Sequence, residues 1–520
     1  MSFRMTATVH VAGVLAAAFV SSSLTTTSTG LTRGDIRWLD RVTFGVDAAI
    51  VSRYQKLGRE KFLDEQLHPP TTDPEPLAAE IQAIPVTRQR AAERIKANRV
   101  EQQRIGTLAS EDDKQHARTA LNQAGNEIVY ETMKRFLTRA LESPWQLREQ
   151  MTWFWMNHFN VFQGKANIRW TLAEYEEQTV RAHALGKFSD LVMATATSPA
   201  MLEYLDNAQS AVGKINENYA RELMELHTLG VSGGRSGSRY TQADVQELAR
   251  VLTGVGINFS DTEPKLPPAR RALYVHRGLF EFNPARHDFN AKTVLGETIK
   301  GDEGLGDVER AVTLLCRQPA TARFISTKLA TYFVADEPPP ALVDHMARTF
   351  AKTDGSIAAV LREMFMDKDV LAVLNAPTPR LEKFKDPVQF VVSSLRLAYD
   401  GKTVTNYHPA TGWLQQLGEP LYGRVTPDGY AVTEAAWTSS GQMVRRFEIA
   451  RAIGSGSAGL FNGEDNKPGP TVGFPMLTTR LFYDAIEPTL GPKTRDALSH
   501  TASQQEWNTV LLASPEWMLR

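Results

Sequence analysis

The chain has 520 residues, 42% apolar and 22% charged, an ordinary globular composition with length enough for a large core. Its formal net charge is -1, so no basic footprint points to nucleic acid as the main partner. The single cysteine, Cys316, excludes an intramolecular disulfide framework, and its apolar surroundings fit a small hydrophobe better than a nucleophile.

The first thirty residues carry one positive charge (Arg4), an apolar run from Val9 to Val20, and then small hydroxylated residues. That order matches a secretory signal peptide over about residues 1–25, too short for a comfortable membrane span. With no twin arginine and no cysteine after the run, the expectation is export to the periplasm or beyond by the general secretion route. A disordered leader is the alternative.

IRWLDRVTFGVDAAIVSRYQKLGREKFLDEQLHPP predicts two short helices ending at Pro69. The strongly charged stretch 86–123, poor in large apolar residues, predicts an exposed helical excursion. The block 127–162 is helical again and turns aromatic at MTWFWMNHFNVF. Further amphipathic helices are expected at 171–185, 187–196, 216–229 and 241–253. Between Gly254 and Gly304, short alternating runs broken by Pro, Asn and Gly predict two or three strands in a hairpin. Helices resume at 306–317, 319–334, 340–352, 355–366 and 386–398, with more at 438–453, at 474–485 and near the C-terminus. The expected fold is mainly α, a large single-domain multi-helical unit over 31–520 with a small β-hairpin insertion around 254–300.

Four chemistry-bearing residues crowd into ENYARELMELHTLG (217–230). At a regular helical spacing, Asn218, Arg221, Glu222 and Glu225 share a face roughly 100° wide, while His227 points to the other side. Glu222 and Glu225, one turn apart, can raise one another's pKa, as acid–base work or cation binding needs. A surface ion pair between Arg221 and Glu225 is the plain alternative. For His227 the expectation is a core histidine near a helix end closed by Gly230. The loop 231–239, rich in Gly, Ser and Arg, reads as solvated, with an anion-binding nest as the alternative. Thr241 and Asp244 form a capping-box pattern.

The second cluster is Arg286, His287, Asp288 and Lys292 in FEFNPARHDFNAKTVLG. Asp288 can orient His287 as a base or metal ligand; a local turn is the alternative. Asn157 and His158 are the polar residues of the aromatic run, and a buried histidine needs a hydrogen-bond partner or a ligand. GSGSAG at 454–459 follows a helix outside any βαβ unit and is rejected as a dinucleotide site.

These landmarks, in order, resemble the DUF1800 family: DRVTFG (40–45), REQMTWFWMNHF (148–159), ENYARELMELHTLG (217–230), YTQADVQELARVLTG (240–254), FNPARHDFNAKTVLG (282–296), KLATYFVADEPP (328–339) and LGEPLYG (417–423). The resemblance implies an exported, mainly helical protein of uncharacterised function, often encoded beside a second exported family similar to phosphatases and sulfatases (DUF1501). It carries Asn157, His158, Arg221, Glu222, Glu225, His227, Asp244, Arg250, His287, Asp288 and Lys292 over as motif positions. Gly429–Tyr430 stands where the family commonly has Gly-Trp-Pro.

Two functional expectations follow. The first is an exported enzyme, hydrolytic or metal-assisted. Its cleft would hold Glu222, Glu225, His287 and Asp288 as catalytic groups and Arg221, Arg250, Lys292 and Asn157 on substrate. His158 and His287 would be ligands if a divalent metal is the cofactor. The second is a non-catalytic binding or assembly partner of a DUF1501-like protein, with 86–123 as the contact element.

Overall fold

The computed structural model describes residues 31–231, 240–260, 262–376, 381–464, 467, 469 and 472–520. The expected leader and most of the Gly/Ser/Arg loop lie outside them.

The N-terminal segment forms three helices rather than two: α1 (Arg33–Val42), α2 (Ala48–Leu57) and α3 (Arg59–Leu67). Thr32 and Asp35 close a capping box at the start of α1, and Gly58, at φ +74°, lets the chain turn between α2 and α3 where a side chain would be strained. Trp38 is fully buried and donates its indole N–H to the Phe365 carbonyl at 2.9 Å, which ties α1 to the middle of the chain.

After α4 (Leu77–Ala83), the charged excursion is a helical hairpin of α5 (Ala91–Thr107) and α6 (Glu111–Glu142). Its far end is exposed, and its base rests on α8 (Ile168–Glu174) through a bond from Arg94 to the Trp170 carbonyl at 2.9 Å. The second half of α6 enters the core beside α7 (Gln146–His158). There the arginines of these helices are neutralised. Asp73 accepts from Arg139, Arg148 and Arg181 at 2.7–2.8 Å, and Glu149 binds Arg181 at 2.9 Å. This fully paired network explains how so many charges stay buried.

The chain continues through α9 (Phe188–Ala196), α10 (Pro199–Tyr204), α11 (Glu217–Glu222) and α12 (Gln242–Val251). Among the described residues the β region holds five strands in two sheets, not one hairpin. β1 (Val255–Ile257), β2 (Val275–Arg277) and β3 (Phe280–Phe282) form an antiparallel sheet ordered β1-β3-β2, with Phe282 opposite both Val255 and Val275. Between β1 and β2 lies the one-turn α13 (Pro268–Arg271). A separate ribbon pairs β4 (Lys292–Val294) with β5 (Glu297–Ile299). Gly278, at φ +60°, turns LYVHRGLFEF back on itself, so one run supplies two strands.

Among the remaining described residues, loops alternate with helices α14 (Leu305–Cys316), α15 (Pro319–Phe333), α16 (Pro340–Lys352), α17 (Ile357–Phe365), α18 (Lys368–Asn375), α19 (Pro387–Ala398), α20 (His408–Gln416), α21 (Ser440–Gly454), α22 (Pro492–Ser499) and α23 (Gln504–Leu512). The helix expected at 474–485 is reduced to a π-helical turn, Phe482–Ile486. Asn508 holds the preceding chain by donating to the Pro475 carbonyl at 2.7 Å. The protein is mainly α, and among the described residues one large hydrophobic core runs from Ile36 to Met518, with two small satellite clusters around α4 and the start of α5. No helix among the described residues is long and apolar enough to cross a membrane.

Candidate functional site

The glutamate helix does not keep one period. Asn216 caps α11 by accepting from the amides of Asn218 at 2.8 Å and Tyr219 at 3.4 Å. After Glu222 the chain widens into a π-helical segment, Leu223–Thr228. The Leu229 amide and the Thr228 hydroxyl each reach back five residues, to the Met224 and Leu223 carbonyls, both at 2.7 Å. Gly230, at φ +80°, ends it; a Cβ there would lie 3.0 Å from the Phe324 ring. Isolated π-turns of this kind occur often at functional sites. The split expected from a regular helix survives: Arg221, Glu222 and Glu225 are half-buried, and His227 is 1% exposed. Arg221 bonds Gln242 at 2.7 Å instead of pairing with Glu225.

His227 is not the hydrogen-bonded core histidine that its position suggested. Among the described residues neither of its ring nitrogens has a partner. Its ring lies 5.0 Å from Phe159 and 6.1 Å from His158. His158, at the end of α7, is 2% exposed and stands 3.1 Å by its Nε2 from the His227 carbonyl. A carbonyl only accepts, so Nε2 carries the proton and Nδ1, which has no partner, offers a lone pair. Burial pushes His227 down to about 3 and His158 well below the usual imidazole range, and the Lys328 charge adds to both shifts. Both rings are therefore neutral at physiological pH.

Lys328 projects from α15 one turn beyond Phe324, with Nζ 5.5 Å from the Phe324 ring. Among the described residues it makes no salt bridge. Burial pulls its ammonium down to about 8, against the attraction of Asp428. Asp428 sits in a loop built with care. Asn157 brackets Tyr430, its Oδ1 accepting from the backbone amide at 2.6 Å and its Nδ2 donating to the carbonyl at 2.9 Å. Asn160 donates to the Arg424 and Thr426 carbonyls at 3.0 and 2.9 Å, and Tyr204 donates to Val425 at 2.8 Å. Gly429, at φ +75°, passes so near Asn157 that a Cβ would lie 2.2 Å from its carbonyl oxygen. Asp428 itself bonds Arg424 at 2.9 Å. It acts on both Lys328 and Glu222, whose carboxyl is raised by burial first and by Glu225 and Asp428 as well. Glu225 lies 3.5 Å from the Tyr240 hydroxyl.

The second cluster is built differently. Arg250 bonds Asp288 at 2.8 Å and Glu247 at 2.7 Å, and Lys292 donates to the Asp288 carbonyl. Desolvation raises the Asp288 carboxyl, but the bonds from Arg250 and the Asn290 amide and the charges of Arg250 and Lys292 together outweigh that and hold its pKa at about 2. His287 donates from Nδ1 to the Thr253 carbonyl at 2.7 Å, leaving Nε2 3.8 Å from Asp307. Burial lowers the pKa of both His287 and Lys292. Glu247 and Asp244 accept from the backbone amides of Thr293 and Leu295 at 3.0 and 2.7 Å. These charges knot the β4–β5 ribbon onto α12.

The expected single cleft thus resolves into two clusters. Glu222 lies within the field of Glu225 and Asp428, His158 and His227 lie within that of Lys328, and Asp428 is the charge the two sets share. Arg250 and Lys292 bind Asp288, while His287 next to it bonds the Thr253 carbonyl and faces Asp307. Asn157 spends its amide on Tyr430, and among the described residues no ring or hydrogen-bond partner is common to His158 and His287. No group of three His, Cys, Asp or Glu side chains among the described residues could hold a metal ion. Lys328, Asp428, Asn160 and Tyr204 were not foreseen. Lys328 does open the stretch KLATYFVADEPP, but a lysine on an amphipathic helix reads as solvated until its neighbours are known.

The family model for "Protein of unknown function (DUF1800)" matches residues 37–519. No curated protein and no solved structure matches the chain.

Proposed function

From a chain that belongs to the DUF1800 family, we propose an exported enzyme that hydrolyses esters by acid–base chemistry on Lys328, His158 and His227, with Glu222 linked to Lys328 through Asp428. One observation carries this reading: a partly buried ammonium, Lys328, without an ion-pair partner among the described residues, beside two buried imidazoles with bare nitrogens. Such an arrangement costs stability and is the usual mark of a site that serves a reacting molecule. The positive charge beside the histidines opposes a cation there, so the metal-free route is preferred to the metal-assisted one.

The groups suffice for hydrolysis. A bare imidazole nitrogen takes a proton from water as its oxygen bonds to the ester carbon. Lys328 stabilises the oxyanion that forms. The carbon–oxygen bond to the leaving alcohol breaks as the protonated form of Glu222, whose share burial increases, gives that oxygen its proton. Exchange with solvent resets both groups. The test is a panel of nitrophenyl esters with wild-type protein and Glu222→Gln. Ester release that falls at least about 100-fold in the variant supports the reading. Wild-type protein that releases nitrophenol no faster than buffer overturns it.

A second reading rests on the α5–α6 hairpin, whose far end is exposed and charged: assembly with a co-exported DUF1501-like partner. Loss of partner capture on shortening that hairpin, in a protein without esterase activity, favours it.

A further inference from the structure

We infer that a pocket between α1, Leu381–Glu382 and residues 516–520 binds a free α-amino acid of glycine or alanine size. Its walls include none of the groups assigned to ester hydrolysis, so it stands or falls apart from that reading.

The pocket has a volume of about 100 Å³. Asp40 and Arg41 of α1, Leu381, Glu382, Leu519 and Arg520 form most of its wall. Arg41 and Arg520 are 2% and 3% exposed, and neither makes a salt bridge among the described residues. Oxygens of the fold take their terminal nitrogens. Arg41 donates to the Arg37 and Leu381 carbonyls at 3.1 and 2.8 Å. Arg520 donates to Gln150 Oε1 at 3.1 Å and to the Tyr332 carbonyl at 2.6 Å. The Nε–H of each is bare, and so is the buried Oδ1 of Asp40. Burial pulls Arg41 down to about 9, and the Arg520 charge adds to the shift, against the attraction of Asp40 and Glu382. Two like charges are thus held close where water reaches poorly.

Buried donors and acceptors left bare are costly, and this set has two poles. The two Nε–H groups suit a carboxylate, one oxygen to each. The bare Asp40 oxygen, with Glu382 exposed at the mouth, suits an ammonium. An α-amino acid carries both on one carbon. Around the pocket Asp40, Glu382 and Glu516 balance Arg37, Arg41 and Arg520, so a zwitterion enters without adding net charge. Acetate would fill the first pole and leave Asp40 bare beside its carboxylate. Leu381 and Leu519 meet the carbon atoms. A cavity of roughly 150 Å³ admits benzene, so this smaller one takes glycine or alanine and excludes longer side chains.

Calorimetric titration of the full chain tests this. Glycine and alanine should bind saturably, and leucine, acetate and methylamine should bind about tenfold more weakly or worse, the scale of one charged hydrogen bond. Asp40→Asn should erase the preference for glycine over acetate, and Lys328→Met should bind glycine as wild type does. Arg41 and Arg520 also hold the fold, so the second measurement uses wild-type protein. The Lys385 and Arg520 amides, bonded to the Met518 and Lys383 carbonyls, should exchange with deuterium about tenfold more slowly in glycine at ten times its dissociation constant. No saturable binding of glycine leaves the pocket to water and overturns the inference. Acetate that binds as tightly as glycine, or an Asp40→Asn that still prefers glycine, overturns the assignment of an amino acid. Binding lost in Lys328→Met, or exchange at these amides that glycine leaves unchanged, places the ligand elsewhere and overturns the site.

Discussion

His158 stands 3.1 Å by Nε2 from the main-chain carbonyl of His227, not from its ring. That bond fixes the tautomer of one imidazole and ties the end of α7 to the π-helical segment. It leaves the other imidazole wholly uncommitted. A histidine pair held in this way is set up to receive something, because neither ring can satisfy the other.

Lys328→Met should stabilise the protein. The folded ammonium is pulled down to about 8 from an ordinary 10.5, so the charged form is disfavoured in the native state. The penalty is fully present below pH 8 and is relieved as pH rises toward the unfolded value. Removing the charge at pH 7 should add about 2 kcal/mol by chemical denaturation. A destabilised variant would show that Lys328 is held by contacts the fold needs.

Glu222→Gln should abolish one limb of the pH profile without harming the fold. Burial, Glu225 and Asp428 raise the carboxyl above 4.5, so its proton persists above that value and the rate should fall as pH rises through the raised pKa. A raised carboxyl also takes stability away as pH climbs past 4.5, so the variant should be no less stable than wild type at pH 7. An unchanged profile would remove Glu222 from the acid role.

Gly429→Ala should cost more than about 2 kcal/mol, since a left-handed backbone strains any L side chain and the Cβ would lie 2.2 Å from the Asn157 carbonyl oxygen. The loop that carries Asp428 should shift with it. Thermal melting within a degree of wild type would show that the loop does not need this close approach.

His287→Ala should lower stability by about 1–3 kcal/mol, because it strips the partner from the buried Thr253 carbonyl. Ester hydrolysis in the surviving folded fraction should be unchanged. Selective loss of activity at full stability would return His287 to the catalytic set.

Glu149→Gln should cost about 3–5 kcal/mol by leaving Arg181 and Arg148 underpaired in the interior. Burial opposes the Glu149 charge, but Arg181 and Arg148 hold its pKa at about 2. The stability it gives is present above 4.5 and is lost as pH falls from there through 2. Acid unfolding of the variant should be shallower over that window; an identical acid limb would place the sensitivity elsewhere.

The helices were legible where an apolar stripe meets a cap, as at α12, whose Thr241–Asp244 box closes as its spacing predicts. The β region was legible as β but not in its topology, because three-residue strands carry too little alternation to show their pairing. Glu222 and Glu225 were visible as a half-buried face. His227 was misjudged: a histidine on a buried face is usually satisfied, and no local pattern reveals a ring without partners. Lys328 and Asp428 were invisible for a related reason, since each becomes unusual only through residues about one hundred positions away in sequence.

The π-turn at Leu223–Thr228 also makes the site removable by length alone. It holds one residue more than an α-turn of the same rise, so deleting a single position there lets the backbone relax into ordinary register. Because the wide turn absorbs its extra residue, the flanking helix would keep its phase and only the bulged segment would be reset, including the His227 carbonyl that His158 bonds. A relative one residue shorter in this segment should share the architecture and lack the bond that joins the histidine pair. Chain length between Glu222 and Gly230 is thus a criterion, readable from sequence, for sorting relatives that keep the site from those that have only the fold.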